Sequence, residues 1–306
     1  MTRILITGAR GNVGRALLAG LSGHEVLATD LRPIENFAFA RMDVTGGDPM
    51  RVIGVFKPEV VVHLASIVTP GKGSTRDQEW CVDVQGSRNV LEACVAHGVR
   101  RLVVTSSGAA YGYHADNPVP LREGDRLRGN VEFPYADHKR QVEEMLAAAR
   151  RDHPALEQVV LRIGTVLGVG VENQITALFR KRRLLAVAGS DSPFVFIWTQ
   201  DLARILLRAA TDGPAGVFNV AGDGVMTLRD LARAMGKPVV TLPPGVLRAA
   251  LALARPLGLS RYGPEQVGFL QYRPVLDNTA LKAVFGYTPE LSSAQVFDLW
   301  RLWAKP

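Results

Sequence analysis

The sequence predicts an α/β fold, a doubly wound parallel sheet with helices on both faces, followed by a smaller, mostly helical lobe. Three observations carry that expectation. Apolar runs of strand length alternate with amphipathic segments of helix length through the first half of the 306 residues. Those runs place Val, Ile and Leu at both alternating positions, as is needed where helices cover both sides of a sheet. A glycine-rich turn, Thr7-Gly8-Ala9-Arg10-Gly11-Asn12-Val13-Gly14, joins the first run to the first amphipathic segment.

Taken in order, strands are expected at Arg3–Thr7, Glu25–Thr29, Glu59–Leu64, Arg101–Thr105 and Gln158–Ile163. Helices are expected at Val13–Leu21, Val84–Ala96 and Val142–Ala149, where apolar residues recur three and four apart. After Ile163 the rhythm changes. Gly168–Pro193 reads as loops and a basic helix, Trp198–Ala210 as an amphipathic helix and Val217–Ala221 as a short strand. From Leu242 to Pro306 the chain reads as helices broken by Pro and Gly. The expected division is a sheet domain over residues 1–163, to which 196–222 return, and a second lobe made of 164–195 and 223–306.

Composition narrows the function classes. With 47% hydrophobic and 21% charged residues the chain is neither disordered nor fibrous. Cys81 and Cys94 make no disulfide framework, so a reducing, cytoplasmic setting is expected. The N-terminal apolar stretch meets Gly8 too early for a signal peptide. The apolar region Val246–Leu259 is interrupted by Arg248, Arg255 and Pro256, and it falls short of the ~20 residues of a membrane span. A net charge of +7 admits a polyanion, a small anion or a solubilising surface. The one dense basic run, Arg180-Lys181-Arg182-Arg183, has no interleaved aromatics and reads as a solvated helix end, so no nucleic-acid partner is expected. No His pair has metal-ligand spacing, and no metal is expected.

The chemistry-bearing residues fall into two groups. In the turn, Gly8, Gly11 and Gly14 allow a tight bend, close approach of a pyrophosphate and close helix–strand packing, while the helix start offers free N–H groups. Asp30 ends the second strand, near the ~20-residue offset of a carboxylate that holds ribose hydroxyls. A carboxylate there disfavours an additional phosphate, so NAD is expected, although Arg10 and Arg32 leave NADP open. In the second group, Tyr135 and Lys139 stand four apart on one helix face, where an ammonium would lower a phenol pKa from about 10. Ser107 closes Thr105-Ser106-Ser107 at a strand's C-terminal edge, where doubly wound sheets bind ligands.

On these residues the chain resembles an extended short-chain dehydrogenase/reductase of the NAD-dependent epimerase/dehydratase family. Further landmarks are Asp43-Val44, His63-Leu64-Ala65-Ser66, Tyr111-Gly112, Arg162, Asp201 within Trp198–Ala203, and Phe218–Gly222. The resemblance implies a Rossmann domain with Tyr135 as acid/base, Lys139 holding the nicotinamide ribose and Ser107 donating to the substrate oxygen. It implies cofactor contacts from Gly8, Arg10, Gly11, Asn12, Val13 and Gly14. Asp30, Leu31, Arg32, Asp43, Val44, Leu64, Ala65, Ser66, Thr105 and Arg162 complete that expected set, together with Tyr135 and Lys139. It also suggests a homodimer formed by the helices around Val84–Ala96 and Tyr135–Ala149. His63, at a strand end, reads as structural.

Three departures bear on the substrate. Asp83 stands where many members carry Asn, Arg162 is followed by Ile163-Gly164-Thr165 without the Asn of nucleotide-sugar enzymes, and Phe194-Val195-Phe196 replaces a polar Arg-Asp-Tyr. The tail, with Pro243-Pro244 and Phe285–Pro289, resembles the 3β-hydroxysteroid dehydrogenase and dihydroflavonol reductase-like branch, and Phe269, Tyr272 and the Leu-rich helix could line an apolar pocket. The leading expectation is therefore an NAD(P)-dependent oxidoreductase that interconverts a secondary alcohol and a ketone on a small molecule. The alternative is a nucleotide-sugar 4-epimerase that retains NAD, with Arg162, Arg180, Arg183 or Arg273 gripping phosphate. A non-catalytic dinucleotide sensor is a third reading, disfavoured by the Ser107–Tyr135–Lys139 set.

Overall fold

In a computed structural model of the chain every residue is described except Lys72, Leu259, Arg261, Tyr262, Lys305 and Pro306. The last five belong to the expected 223–306 segment, and to that extent the expectation lies outside the described residues.

The strands are β1 (Arg3–Thr7), β2 (Glu25–Asp30), β3 (Ala38–Arg41), β4 (Val60–His63), β5 (Arg101–Ser107), β6 (Glu157–Ile163), β7 (Thr165–Leu167), β8 (Leu184–Val187), β9 (Phe196–Trp198), β10 (Gly216–Val220) and β11 (Val239–Leu242). Seven of them form one parallel sheet in the order β10-β6-β5-β4-β1-β2-β3. The order reverses between β1 and β4, where Thr7 pairs with His63, and such a reversal opens a crevice at the strands' carboxyl ends.

The helices of the first half are α1 (Asn12–Leu18), α2 (Asp48–Phe56), α3 (Arg76–Trp80), α4 (Gly86–Ala96) and α5 (Pro134–Asp152). Later come α6 (Gln174–Phe179), α7 (Thr199–Ala210), α8 (Leu228–Met235), α9 (Pro244–Ala254), α10 (Gln266–Gln271), α11 (Thr279–Ala283) and α12 (Ser293–Trp303). The uninterrupted apolar runs explain the two layers. On β1, Ile4 and Ile6 join a core with Leu17 of α1 and Leu202, Ile205 and Leu206 of α7. Leu5, pointing the other way, joins Ile53 of α2, Val90 and Leu91 of α4 and Val142 and Leu146 of α5. Each such buried aliphatic stabilises by roughly 1.5–3 kcal/mol, which fixes the register of the strand that carries the glycine turn.

Differences from the sequence expectation sit at element ends. The helix expected at Val142–Ala149 begins at Pro134, whose fixed φ suits the first helical position, so Tyr135 lies in its first turn. The helix expected from Val84 is preceded by a π-helical turn, Cys81–Gln85, continuous with α3 and α4. Trp198 ends a strand, and α7 starts after it. Edge strand β3 escapes the reading because Ala38–Arg41 is short and half-exposed.

Beyond β6, β7 pairs with β9 and β8 with β11, both parallel. Helix α7 packs on α1 and β10 pairs with β6 at the edge of the large sheet, whereas β9 stays in the small sheet with β7. An aromatic core of Phe179, Phe194, Phe196, Phe297 and Trp300 underlies the small sheets. Among the described residues no helix is long and apolar enough to cross a membrane.

Candidate active site

The glycines of the turn are demanded by backbone contact. Gly8 has φ +63°, and a Cβ there would stand 2.7 Å from the Ala65 backbone nitrogen. A Cβ on Gly14 would stand 2.5 Å from the Ala9 carbonyl. The start of α1 has no side-chain cap, which leaves its first-turn N–H groups for another acceptor. Asp30 is tied to this loop: its Oδ2 accepts from the Arg10 backbone N–H at 3.0 Å and its Oδ1 from that of Leu31 at 2.8 Å. The side chains of Arg10, Leu31 and Arg32 are exposed beside it. This cradle, a crevice edge that a Cβ would fill with a carboxylate at its rim, fits a dinucleotide.

Asp43 and Val44, expected beside the cofactor, do not line the cavity. Asp43 holds a turn by accepting from the Thr45 N–H and hydroxyl, while Val44 is buried and would collide with a Cβ on Gly86. Leu64 and Ala65 donate their backbone N–H groups to Thr7 Oγ1, which fixes the chain leaving β4 against the glycine turn.

Ser107, Tyr135 and Lys139 come together at the end of β5 and the start of α5, lining one cavity of about 800 Å³ with Leu64, Ser66 and Thr105. Lys139 Nζ donates to the Thr105 carbonyl at 2.9 Å and stands 5.5 Å from the centre of the Tyr135 ring. Burial pushes the Lys139 pKa down, against the charges of Asp83 and Glu143. The Tyr135 phenol is not lowered as the pairing suggested. Burial pushes it up to about 12, with a hydrogen bond from Ser107 opposing and the Asp83 charge adding to the rise.

Two expected residues stand behind the site. His63 bonds Thr7 Oγ1 and Ser87 Oγ through its two ring nitrogens, at 2.8 and 2.9 Å, and burial together with the Lys139 charge pushes its pKa down to about 3. Arg162 must be corrected as a cofactor or phosphate contact. Its guanidinium is taken up by Glu143 at 2.7–3.0 Å, by the Tyr111 hydroxyl at 2.7 Å and by the Glu123 carbonyl at 2.8 Å, and it does not line the cavity. Its three acceptors lie beneath the β5–β6 edge, which makes it an internal strut. Arg180 pairs with Glu172 at the surface and Arg183 is exposed; neither lines the cavity, and neither does Tyr272.

Arg273 does line it. Its guanidinium carbon stacks 4.0 Å from the Phe194 ring centre and 5.3 Å from that of Phe269, and Nη1 donates to the Ser192 carbonyl and hydroxyl. No carboxylate is within ion-pair distance among the described residues, its Nε is buried without a partner, and burial pushes its pKa down to about 9. The sequence reading named Phe269 for an apolar pocket and missed Tyr113 and Phe133 beside it. Tyr113, Phe133 and Phe269 meet edge to face at 5.0 and 5.1 Å, and all three face the cavity. Burial pushes the Tyr113 phenol up, with Tyr135 adding and Arg273 opposing, so this hydroxyl lies within electrical reach of both. Among the described residues no group of acidic, His or Cys side chains is arranged to hold a metal ion.

Fold and site thus define a doubly wound dinucleotide-binding protein with a Ser–Tyr–Lys cluster at its crevice. Residues 4–221 match the model of the NAD dependent epimerase/dehydratase family, and the chain belongs to that family, with NAD as cofactor. A UDP-glucose 4-epimerase of Mycolicibacterium smegmatis is 30% identical over 325 residues, covering 96% of this chain and 95% of that one. Among solved structures, the Bordetella bronchiseptica enzyme WbmG in complex with NAD and UDP superposes with a TM-score of 0.76 at 22% identity, over 99% of this chain and 94% of that one. The Thermotoga maritima UDP-glucose 4-epimerase with UDP-glucose gives 0.76 at 22% identity, over 98% of both chains. These two likenesses are of fold.

Proposed function

We propose that the chain is an NAD-retaining epimerase of a nucleotide-activated sugar, which favours the alternative reading of the sequence over simple alcohol–ketone oxidoreduction. The observation that carries it is Arg273. A half-buried cation with no carboxylate within ion-pair distance among the described residues is costly, and an arginine lining the cavity that holds Tyr135 fits a phosphate group of the substrate. The similarity to a UDP-glucose 4-epimerase over nearly the full chain supports the same assignment.

In this reading Ser107 donates a hydrogen bond to the sugar oxygen that becomes a carbonyl, and Tyr135 takes and later returns the hydroxyl proton. Lys139, anchored on the Thr105 carbonyl, supplies positive charge beside a phenol that burial otherwise keeps protonated. NAD supplies the hydride acceptor and donor. Proton and hydride both return to the substrate, so nothing is consumed. Asp30 and the Gly8–Gly14 loop hold the cofactor.

A second reading keeps a specific observation. Phe194, first of the Phe194-Val195-Phe196 run that replaces a polar Arg-Asp-Tyr, stands at the arginine's side, and the Tyr113–Phe133–Phe269 wall is apolar, which suits an oxidoreductase of apolar alcohols and ketones. Denaturing the purified protein and assaying the supernatant separates the two. The epimerase reading expects close to one NAD per chain, and a protein empty of nucleotide that turns over added NAD(P)H with an apolar ketone would support the second.

A further inference from the structure

The buried group left without a role is a carboxylate–imidazole pair. Asp83 sits in the π-helical turn Cys81–Gln85, and its side chain is 1% exposed, as is that of His138 on α5. Three donors converge on it: the Ser66 hydroxyl and the Ile67 N–H on Oδ1, at 2.9 and 2.8 Å, and His138 Nδ1 on Oδ2, at 3.0 Å. His138 Nε2 is buried without a partner. That pattern selects one protonation state. An imidazolium would bury an N–H without an acceptor, whereas a neutral ring with its proton on Nδ1 leaves only a bare lone pair inside.

We propose that Asp83 and His138 are a positioning pair, a clamp that locks the Ser66–Ile67 turn onto the helix carrying Tyr135 and Lys139 and holds one uncancelled negative charge within electrical reach of the Lys139 ammonium. Geometry gives the first half. Ser66 lines the cavity, Ile67 leads into Val68, Thr69 and Pro70 on its wall, and His138 is the helix neighbour of Lys139. The charges facing Lys139 give the second. Glu143 on the same helix is neutralised by Arg162, His63 on β4 is neutral, and Thr105 offers only a carbonyl, which leaves Asp83 as the unpaired anion. Burial works to raise the Asp83 pKa, but His138, Lys139, Ile67 and Ser66 together hold it below the ordinary carboxylate value. An Asn at this position would turn an N–H₂ toward one of the three donors. Facing His138, it would force the proton to Nε2, where nothing accepts it.

The inference rests on the proposed roles of Tyr135 and Lys139, but its test reads Lys139 and His138 directly and so fails separately from them. In the NAD-loaded protein, ¹³Cε spectra of labelled lysine are followed with pH, and Lys139 is assigned by loss of its signal in Lys139→Met. Asp83→Asn is expected to lower the Lys139 midpoint by at least about one pH unit, a tenfold change in its acid constant, while His138→Gln leaves it within about 0.3 unit. An unchanged midpoint in folded Asp83→Asn overturns the proposal. If that variant does not fold, ¹⁵N shifts of the wild-type His138 ring decide. A neutral Nδ1–H tautomer at pH 7 supports the clamp, and an imidazolium or an Nε2–H tautomer contradicts it.

Discussion

The glycine turn and the cavity wall are built by different means. The turn, proposed to hold the cofactor, is a backbone site. Gly8 and Gly14 are set by atoms of Ala65 and Ala9 closer than 3 Å to any added Cβ, and the Asp30 carboxylate is held by two backbone N–H groups. The substrate end is a side-chain site, assembled from Tyr113, Phe133, Phe194 and Phe269 around Arg273, residues drawn from four separate stretches of chain. A backbone site leaves a fixed spacing in the sequence and tolerates almost no change. A side-chain site leaves no spacing and is free to vary.

The largest expected contrast between the ends comes from Tyr135→Phe. Loss of a general acid/base costs about 10²–10⁴-fold in turnover, while the Kd for NAD, read by fluorescence quenching, is expected to stay within about threefold. A variant that keeps most of its activity would remove Tyr135 from the mechanism. Gly14→Ala breaks the other end: overpacking against the Ala9 carbonyl is expected to cost about 1–3 kcal/mol in urea unfolding and to abolish NAD retention.

Arg273→Met sharpens the comparison. It removes a desolvated cation while keeping contact with Phe194 and Phe269, so stability is expected to hold or rise. Binding of UDP, measured calorimetrically, should weaken by about 10–100-fold, with NAD unaffected. Equal UDP affinity in the variant would detach the arginine from any phosphate.

Much of the cofactor end was legible for this reason. Thr7–Gly14, Asp30 and the Tyr135/Lys139 spacing are local signals, and the apolar runs that bury Ile4 and Leu5 on opposite faces announce the sheet. Arg162 shows the limit. The resemblance implied a ligand contact, but its partners Glu143, Tyr111 and Glu123 come from elsewhere in the chain, and only the fold shows that they consume it. Tyr113 and Phe133 were invisible because nothing local distinguishes a ring facing a cavity from one facing the core. Asp83 was noticed as a departure, yet nothing in the sequence pattern pointed to its partner His138, which the fold brings to it from another helix.

A smaller effect concerns pH. His63 has a folded pKa of about 3 and an unfolded value near 6.5, so only the unfolded chain gains this proton as pH falls between them. Its contribution is fully present above about 6.5 and is lost toward pH 3, at up to about 1.4 kcal/mol per pH unit. Replacing His63 with Gln is expected to flatten that part of the acid unfolding curve, and an unaltered slope would mean that another group dominates. The smallest shift is expected at the rim. Asp30→Ser removes the charge that opposes a ribose phosphate beside Arg10 and Arg32, and relative affinity for NADP over NAD should rise about tenfold.

The central claim is that hydride leaves and returns within one chain while an arginine holds the substrate's phosphate. It is tested most directly by incubating the purified protein, with no added cofactor, with a panel of UDP-hexoses and following ring-proton couplings by NMR. Inversion at a single carbon of one sugar, with no net NADH at 340 nm, is the expected result. No inversion on any nucleotide sugar, combined with stoichiometric oxidation of added NADH by an apolar ketone, would contradict it.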